Sequence, residues 1–151
     1  MGSSIFTENP AWIYADTSAL VALFAKESTA HAIRLWLENE SNVLCSADWC
    51  VTEVSSALST KVRSNSLTQQ DADFAWETFE QSCQGDLELL PVLPQDFSHA
   101  AQLCRVAASG LRAGDALHLA VALRQNCQQL LSFDRNLNIN AQATGLKLVS
   151  L

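Results

Sequence analysis

Four carboxylates in this chain stand where a fold can bring them together. "WIYAD" runs into "TSALVALF" and "LLSFD" into "RNLNIN", so Asp16 and Asp134 each close a strand-like segment and precede a helix-like one. Glu53 lies in "DWCVTEVSSALSTKV", where helical periodicity gathers Trp49, Cys50, Val54, Ala57 and Leu58 on one apolar arc. Glu53 projects between Trp49 and Ala57, within that arc rather than opposite it. Asp115 opens "DALHLAVAL", a run so apolar on every side that it belongs in the interior. Singly, each acid has an ordinary explanation: a helix cap for Asp16 and Asp134, a first-turn acid for Asp115, a rim glutamate for Glu53. As one cluster they repel and raise one another's proton affinity, and they persist as carboxylates only beside cations. Oxygen donors without His or Cys select Mg²⁺ or Mn²⁺ over zinc, and such a site suits phosphodiester hydrolysis.

The elements that must position these acids alternate along the chain. Short apolar segments read as strands at 11–16, 42–47, 87–92, 129–134 and 146–150. Helix patterns fill the gaps at Thr17–Ala25, Thr29–Glu38, Asp48–Arg63, Thr68–Cys83, Gln95–Ser109, Asp115–Gln125 and, more weakly, Leu137–Thr144. Thr68 is a cap with Asp71 in the first turn, Pro94 marks a helix start, and Gly110 with Gly114 suggests a tight turn before Asp115. This alternation predicts an α/β fold with a parallel sheet covered on both faces, whose ligands bind beyond the carboxyl ends of the strands.

With 151 residues the chain is expected to form one domain, 1–151, able to bury a core without disulfides or structural metal. Its apolar runs fall short of a membrane span, and no basic stretch followed by an apolar core opens it, so a cytoplasmic protein is expected. The opening "MGSS" is too short and polar to need a structural role. The five cysteines are scattered, without a C-x-x-C pair, and read as buried free thiols. His118, one turn after Asp115, matches no metal-binding spacing and reads as a hydrogen-bonded packing residue. The net charge of −7 argues against bulk electrostatic attraction to a nucleic-acid backbone.

"YADTSALVALFAKE" at 14–27, "TEVSSAL" at 52–58, "GDALHLAVAL" at 114–123 and "LLSFDRNL" at 130–137 resemble, in order and spacing, the motifs of PIN domain nucleases. The likeness is greatest to the VapC-type toxins of toxin–antitoxin pairs. "DTSAL" and "GDALHLA" are its more specific parts. The resemblance implies a three-layer α/β/α sandwich with a parallel sheet of about five strands and a Mg²⁺- or Mn²⁺-dependent endoribonuclease. It places Asp16, Glu53, Asp115 and Asp134 in the family's acidic quartet, and Thr17 or Ser18 and Ser132 at its small hydroxyl positions. Ser132 departs from the threonine common there but keeps the hydroxyl. It further implies an RNA substrate, a cognate antitoxin, a homodimer and no membrane association. In such proteins the helices over 48–63 and 68–83, with Leu67, Phe74, Trp76 and Phe79, contribute to dimers and to the groove that receives the antitoxin.

Assigning four acids to a site, where two divalent ions would offset them, leaves twelve against nine basic residues, a balance of −3. Lys61, Arg63, Arg112, Arg124 and Arg135 are the candidates for a basic rim touching RNA. Three other readings compete. A haloacid-dehalogenase-type phosphatase would want an acid two residues after Asp16, where Ser18 stands. A structure-specific DNA nuclease would want a larger basic apparatus. A binding or regulatory module would use the acids only as helix caps and would gain no stability from metal.

Overall fold

The computed structural model describes residues 10–151; the "MGSS" opening lies outside the described residues. The elements run β1 (Trp12–Ala15), α1 (Thr17–Phe24), α2 (Ala30–Glu38), β2 (Val43–Ala47), α3 (Trp49–Arg63), α4 (Gln69–Cys83), β3 (Leu87–Leu90), α5 (Pro94–Arg105), a 3₁₀ turn (Ala107–Ser109), α6 (Ala113–Arg124), β4 (Gln129–Leu131), α7 (Arg135–Ala143) and β5 (Lys147–Leu148). The five strands pair in parallel in the order β3-β2-β1-β4-β5. The expected α/β architecture is therefore present, with the order reversing between β1 and β4, where open sheets of this kind leave room for ligands.

Strand alternation divides the core. One set of apolar residues, including Ala15, Leu87 and Leu131, packs with Leu20, Ile33, Val54 and Phe79 of α1 to α4. The other, including Tyr14, Cys45 and Leu130, packs with Leu119, Val121 and Leu137 of α6 and α7, while Ala100 of α5 joins Ala116 and Ala120 of α6. The sheet thus lies between two helical layers, the three-layer arrangement the resemblance implied. Helix α6 buries seven successive residues, Ala116 to Ala122, because Ala, Leu and Val surround its axis. Four helices end by the same device: Lys26, Asn65, Asn126 and Gly145 take positive φ, and the next amide returns to the carbonyl five residues earlier.

The strands are shorter than expected, and three helix boundaries differ from expectation by two residues or more. The helix expected to Ser109 stops at Arg105, since Val106 leaves helical geometry (ψ 89°) and a 3₁₀ turn follows, closed by Gly110 at φ 65°. The last helix starts at Arg135 because the Asp134 side chain accepts from the Leu137 amide at 2.7 Å and caps it. Helix α6 starts at Ala113, so Asp115 is the third residue of its first turn and not its opening residue, and Gly114 lies inside the helix. All five cysteines are free, with Cys45, Cys50 and Cys127 buried.

Candidate functional site

Asp16 and Asp134 follow the adjacent strands β1 and β4 at the point where the sheet order reverses. Asp16 is only 2% exposed and caps α1: its Oδ1 accepts from the Ala19 amide at 3.1 Å and from the Ser18 hydroxyl at 2.7 Å. Its Oδ2 accepts from Ser132 Oγ at 2.7 Å, and that same Oγ accepts from the Asp134 amide at 3.0 Å. Ser18 Oγ in turn accepts from the Phe133 amide at 2.9 Å. Two hydroxyls therefore fasten the end of β1 to the segment following β4, which ties Asp16 to the backbone that carries Asp134. Burial raises the Asp16 carboxyl above its ordinary range, partly offset by the bonds from Ser18 and Ser132, the neighbouring His118 ring and the Ala19 amide.

Glu53 comes from α3, whose buried residues Cys50, Val54 and Leu58 face the core. Its Oε1 accepts from the Thr17 hydroxyl at 2.9 Å and meets His118 Nε2 in a close contact. Its Oε2 lies over Gly114: a Cβ built there would stand 3.2 Å from Oε2 and 3.5 Å from Trp49 Nε1. Gly114 thus leaves room for the Glu53 and Trp49 side chains of α3 instead of making the turn expected of it, a role that spacing alone does not distinguish. Asp115, half-buried on the next residue, is raised to about 6 by burial and by the charges of Asp134, Asp16 and Glu53, against a lowering by His118. The other three acids therefore all act on Asp115.

That shift gives a stability prediction. The unfolded chain releases the Asp115 proton near pH 4 and the folded chain near 6, so the folded state binds it more tightly. Stability falls as pH rises between these values and stays lower above them. Allowing for its partial exposure, ionised Asp115 costs about 1 kcal/mol. Asp115→Asn is expected to raise the Tm by about 2–4 °C at pH 7.5 in EDTA, and to leave it unchanged at pH 4, by calorimetry.

The basic residues divide. Arg112 immediately precedes α6, three residues before Asp115, and Arg135 opens α7 directly after Asp134. Lys61 and Arg63 lie eight and ten residues past Glu53 on α3, about 12 and 15 Å along the helix. Lys61 Nζ is 2.6 Å from Glu27, and Arg63 bonds Ser59 and Thr60 of its own helix. Arg124, at the far end of α6 from Asp115, is committed to Asp96 at 2.7 Å and to the Pro91 carbonyl at 2.7 Å, which removes it from any rim around the acids. Sequence reading missed Trp49, 37% exposed beside Gly114 and Glu53, and Phe133, 42% exposed between Ser132 and Asp134. Their positions next to the acids in the chain were the available signal.

The donor chemistry fits a hard divalent cation: carboxylates and hydroxyls, with the one imidazole turned to Glu53 and no thiol among them. Among the described residues no three His, Cys, Asp or Glu side chains already stand together as an ion cage.

The fold and the acids together define a parallel α/β/α protein with an acidic site at the sheet's carboxyl edge. The PIN domain model matches residues 13–142, and the chain belongs to the PIN domain family, a family of nucleases. No curated protein sequence matches the chain significantly. Among solved structures, VapC20 of Mycobacterium tuberculosis, described as a toxin that cleaves the sarcin–ricin loop, superposes with a TM-score of 0.69 at 22% identity, covering 92% of this chain and 99% of its own. PAE2754 of Pyrobaculum aerophilum gives 0.62 at 23% identity, covering 94% and 91%. The VapBC-5 toxin–antitoxin structure of M. tuberculosis gives 0.63 at 19%, covering 94% and 100%. At these identities the likeness establishes the fold. Among the described residues no helix is long and apolar enough to cross a membrane.

Proposed function

We propose that this chain is a Mg²⁺- or Mn²⁺-dependent endoribonuclease, the toxin of a toxin–antitoxin pair, folded as one PIN domain over residues 1–151. The observation that carries the reading is the gathering of the acids: Ser132 links Asp16 to the Asp134 amide, Glu53 Oε2 lies over Gly114, and the adjoining Asp115 is raised to about 6 by burial and, less, by the charges of Asp134, Asp16 and Glu53. Such a cluster is stable in its charged form only beside cations. In this reading the four carboxylates hold the cation directly or through water. When bound, it supplies activation of the attacking water and neutralises charge building on the phosphate. The chain's own contribution is rigidity: Ser18, Ser132 and the Ala19 amide fix both oxygens of Asp16, and Thr17 steadies Glu53.

A looped RNA is the substrate class this surface suits. With a net charge of −7, affinity cannot come from many phosphate contacts. Arg112 and Arg135 supply the cations nearest the acids in the chain, and the exposed faces of Trp49 and Phe133 offer stacking to bases already out of a helix. VapC20, with the same fold, is described as cutting such a loop.

An antitoxin segment is expected in the apolar groove of about 630 Å³ lined by Leu20, Leu23, Phe24, Leu37, Leu44 and Phe74, the last 54% exposed. Exposed Phe97 and Val106, on and just after α5, favour a homodimer, which sedimentation tests.

The deciding experiment is cleavage of a labelled panel of tRNAs and ribosomal hairpins, with matching DNA hairpins, in Mn²⁺ or EDTA. Metal-dependent cuts at defined RNA sites are expected. Equal cutting of DNA would move the substrate class. No cutting, with a melting curve that Mn²⁺ leaves unchanged, would make the chain a binding module.

A further inference from the structure

Tyr14 and His118 are almost wholly enclosed, in β1 and α6, among Ala, Leu and Val side chains. A buried polar group without a partner is costly, so every one of their hydrogen bonds has to be accounted for. The Ala47 amide donates to the Tyr14 phenol oxygen at 3.0 Å, and an amide N–H can do nothing but donate. The phenol hydrogen then needs an acceptor. The phenol oxygen lies 2.6 Å from Nδ1 of His118, while the neighbouring Ser46 hydroxyl gives its own hydrogen to the Ala15 carbonyl at 2.6 Å. Nδ1 is therefore the bare ring nitrogen, and the ring hydrogen sits on Nε2, which faces Oε1 of Glu53. Thr17 Oγ1 lies 3.2 Å from the same Nε2 and donates to the same Oε1 at 2.9 Å.

Every donor in this series points one way, from the β2 backbone at Ala47 through Tyr14 and His118 to Glu53. The rotatable glutamate is thereby held at one oxygen by two donors, while Oε2 is left over Gly114, where a methyl group would crowd it. We propose that Tyr14 and His118 are positioning residues that fix the Glu53 carboxylate through Oε1 and leave Oε2 as the oxygen available to a divalent cation. This role rests on the metal-dependent reading above. The partners of His118 lie 104 and 65 residues away in sequence, which is why it reads only as packing before the chain is folded.

The test is Mn²⁺ affinity, measured from the free-ion electron paramagnetic resonance signal, together with the ¹⁵N shifts of the His118 ring. Wild type, Tyr14→Phe, His118→Leu and His118→Gln are compared, each checked for folding by circular dichroism. Gln keeps an N–H donor towards Glu53, whereas Leu does not. His118→Leu is expected to weaken Mn²⁺ binding about tenfold or more, the usual cost of losing such an orienting partner, and Tyr14→Phe to weaken it less. His118→Gln is expected to recover most of the loss. The wild-type ring is expected to carry its proton on Nε2, with the Nδ1 shift moving in Tyr14→Phe.

Wild-type affinity in folded His118→Leu and Tyr14→Phe would overturn the proposal, as would a proton on Nδ1. Should His118→Leu fail to fold, Tyr14→Phe and His118→Gln carry the same comparison. A wild type that binds no Mn²⁺ while its ring proton sits on Nε2 would instead overturn the metal-dependent reading, and the positioning role with it.

Discussion

Asp115→Asn is expected to leave a folded protein whose RNA cleavage in saturating Mn²⁺ is at least about 100-fold slower than wild type. Removing one preorganised charge from a site that stabilises developing charge costs rate on this scale. Fold loss does not explain the drop, because the same substitution removes a partly buried charge and its repulsion from Asp134, Asp16 and Glu53, and is expected to stabilise the metal-free protein. Asp16→Asn is expected to lose as much activity for a second reason. Its two oxygens accept from Ser18, Ser132 and the Ala19 amide; an amide nitrogen in place of Oδ1 sets donor against the Ala19 N–H, and in place of Oδ2 it reverses the Ser132 hydrogen bond. Single-turnover cleavage of a hairpin cut by the wild type measures both. Undiminished cleavage by either variant would remove the carboxylates from the mechanism.

The largest stability effect away from the site is expected from Arg124→Met. Asp96 is 2% exposed at the start of α5, with Oδ2 accepting from the Leu93 amide at 2.8 Å and Oδ1 from Arg124 Nε. Burial alone would raise its carboxyl, but the bond from Arg124, the Leu93 amide and the Arg124 charge outweigh it and hold it below the ordinary range. Methionine keeps the aliphatic stem and strands the buried charge with one amide. Breaking such a pair costs about 2–4 kcal/mol, a Tm drop of about 5–12 °C at this size. The sign follows from the lowered folded value: the pair stabilises at and above neutral pH, and the contribution is lost as pH falls through that value. The difference between wild type and variant should therefore shrink towards pH 3. A melting series over pH 3–8 tests both magnitude and direction, and cleavage at 20 °C should be unaffected.

Much of the fold was legible because parallel strands buried on both faces and a helix as apolar as α6 leave unmistakable patterns in sequence. The acids were legible as types at motif spacing. What escaped reading was set by contacts between distant segments. Gly114 looks like a turn residue until α3 is laid across it. Arg124 looks like one more surface cation until Asp96, 28 residues earlier, is brought beneath it. The break at Val106 carries no Pro or Gly of its own, and Gly110 marks it four residues late. Trp49 reads as one member of an apolar arc because exposure, unlike residue type, belongs to the folded chain.

The order of the strands also sets a timetable. Translation delivers Asp16 and Glu53 early, but Asp115 and Asp134 only in the last quarter of the chain. Before β4 emerges, one edge of β1 is unpaired and Asp16 lacks its bond from Ser132. The groove that runs from Leu20 to Glu88 is built entirely from residues made before Asp115. At about 5–20 residues per second, a partner that recognises the groove has seconds to seat itself on the nascent chain before the fourth acid exists. A ribosome making this protein therefore completes the proposed partner groove before the set of acids.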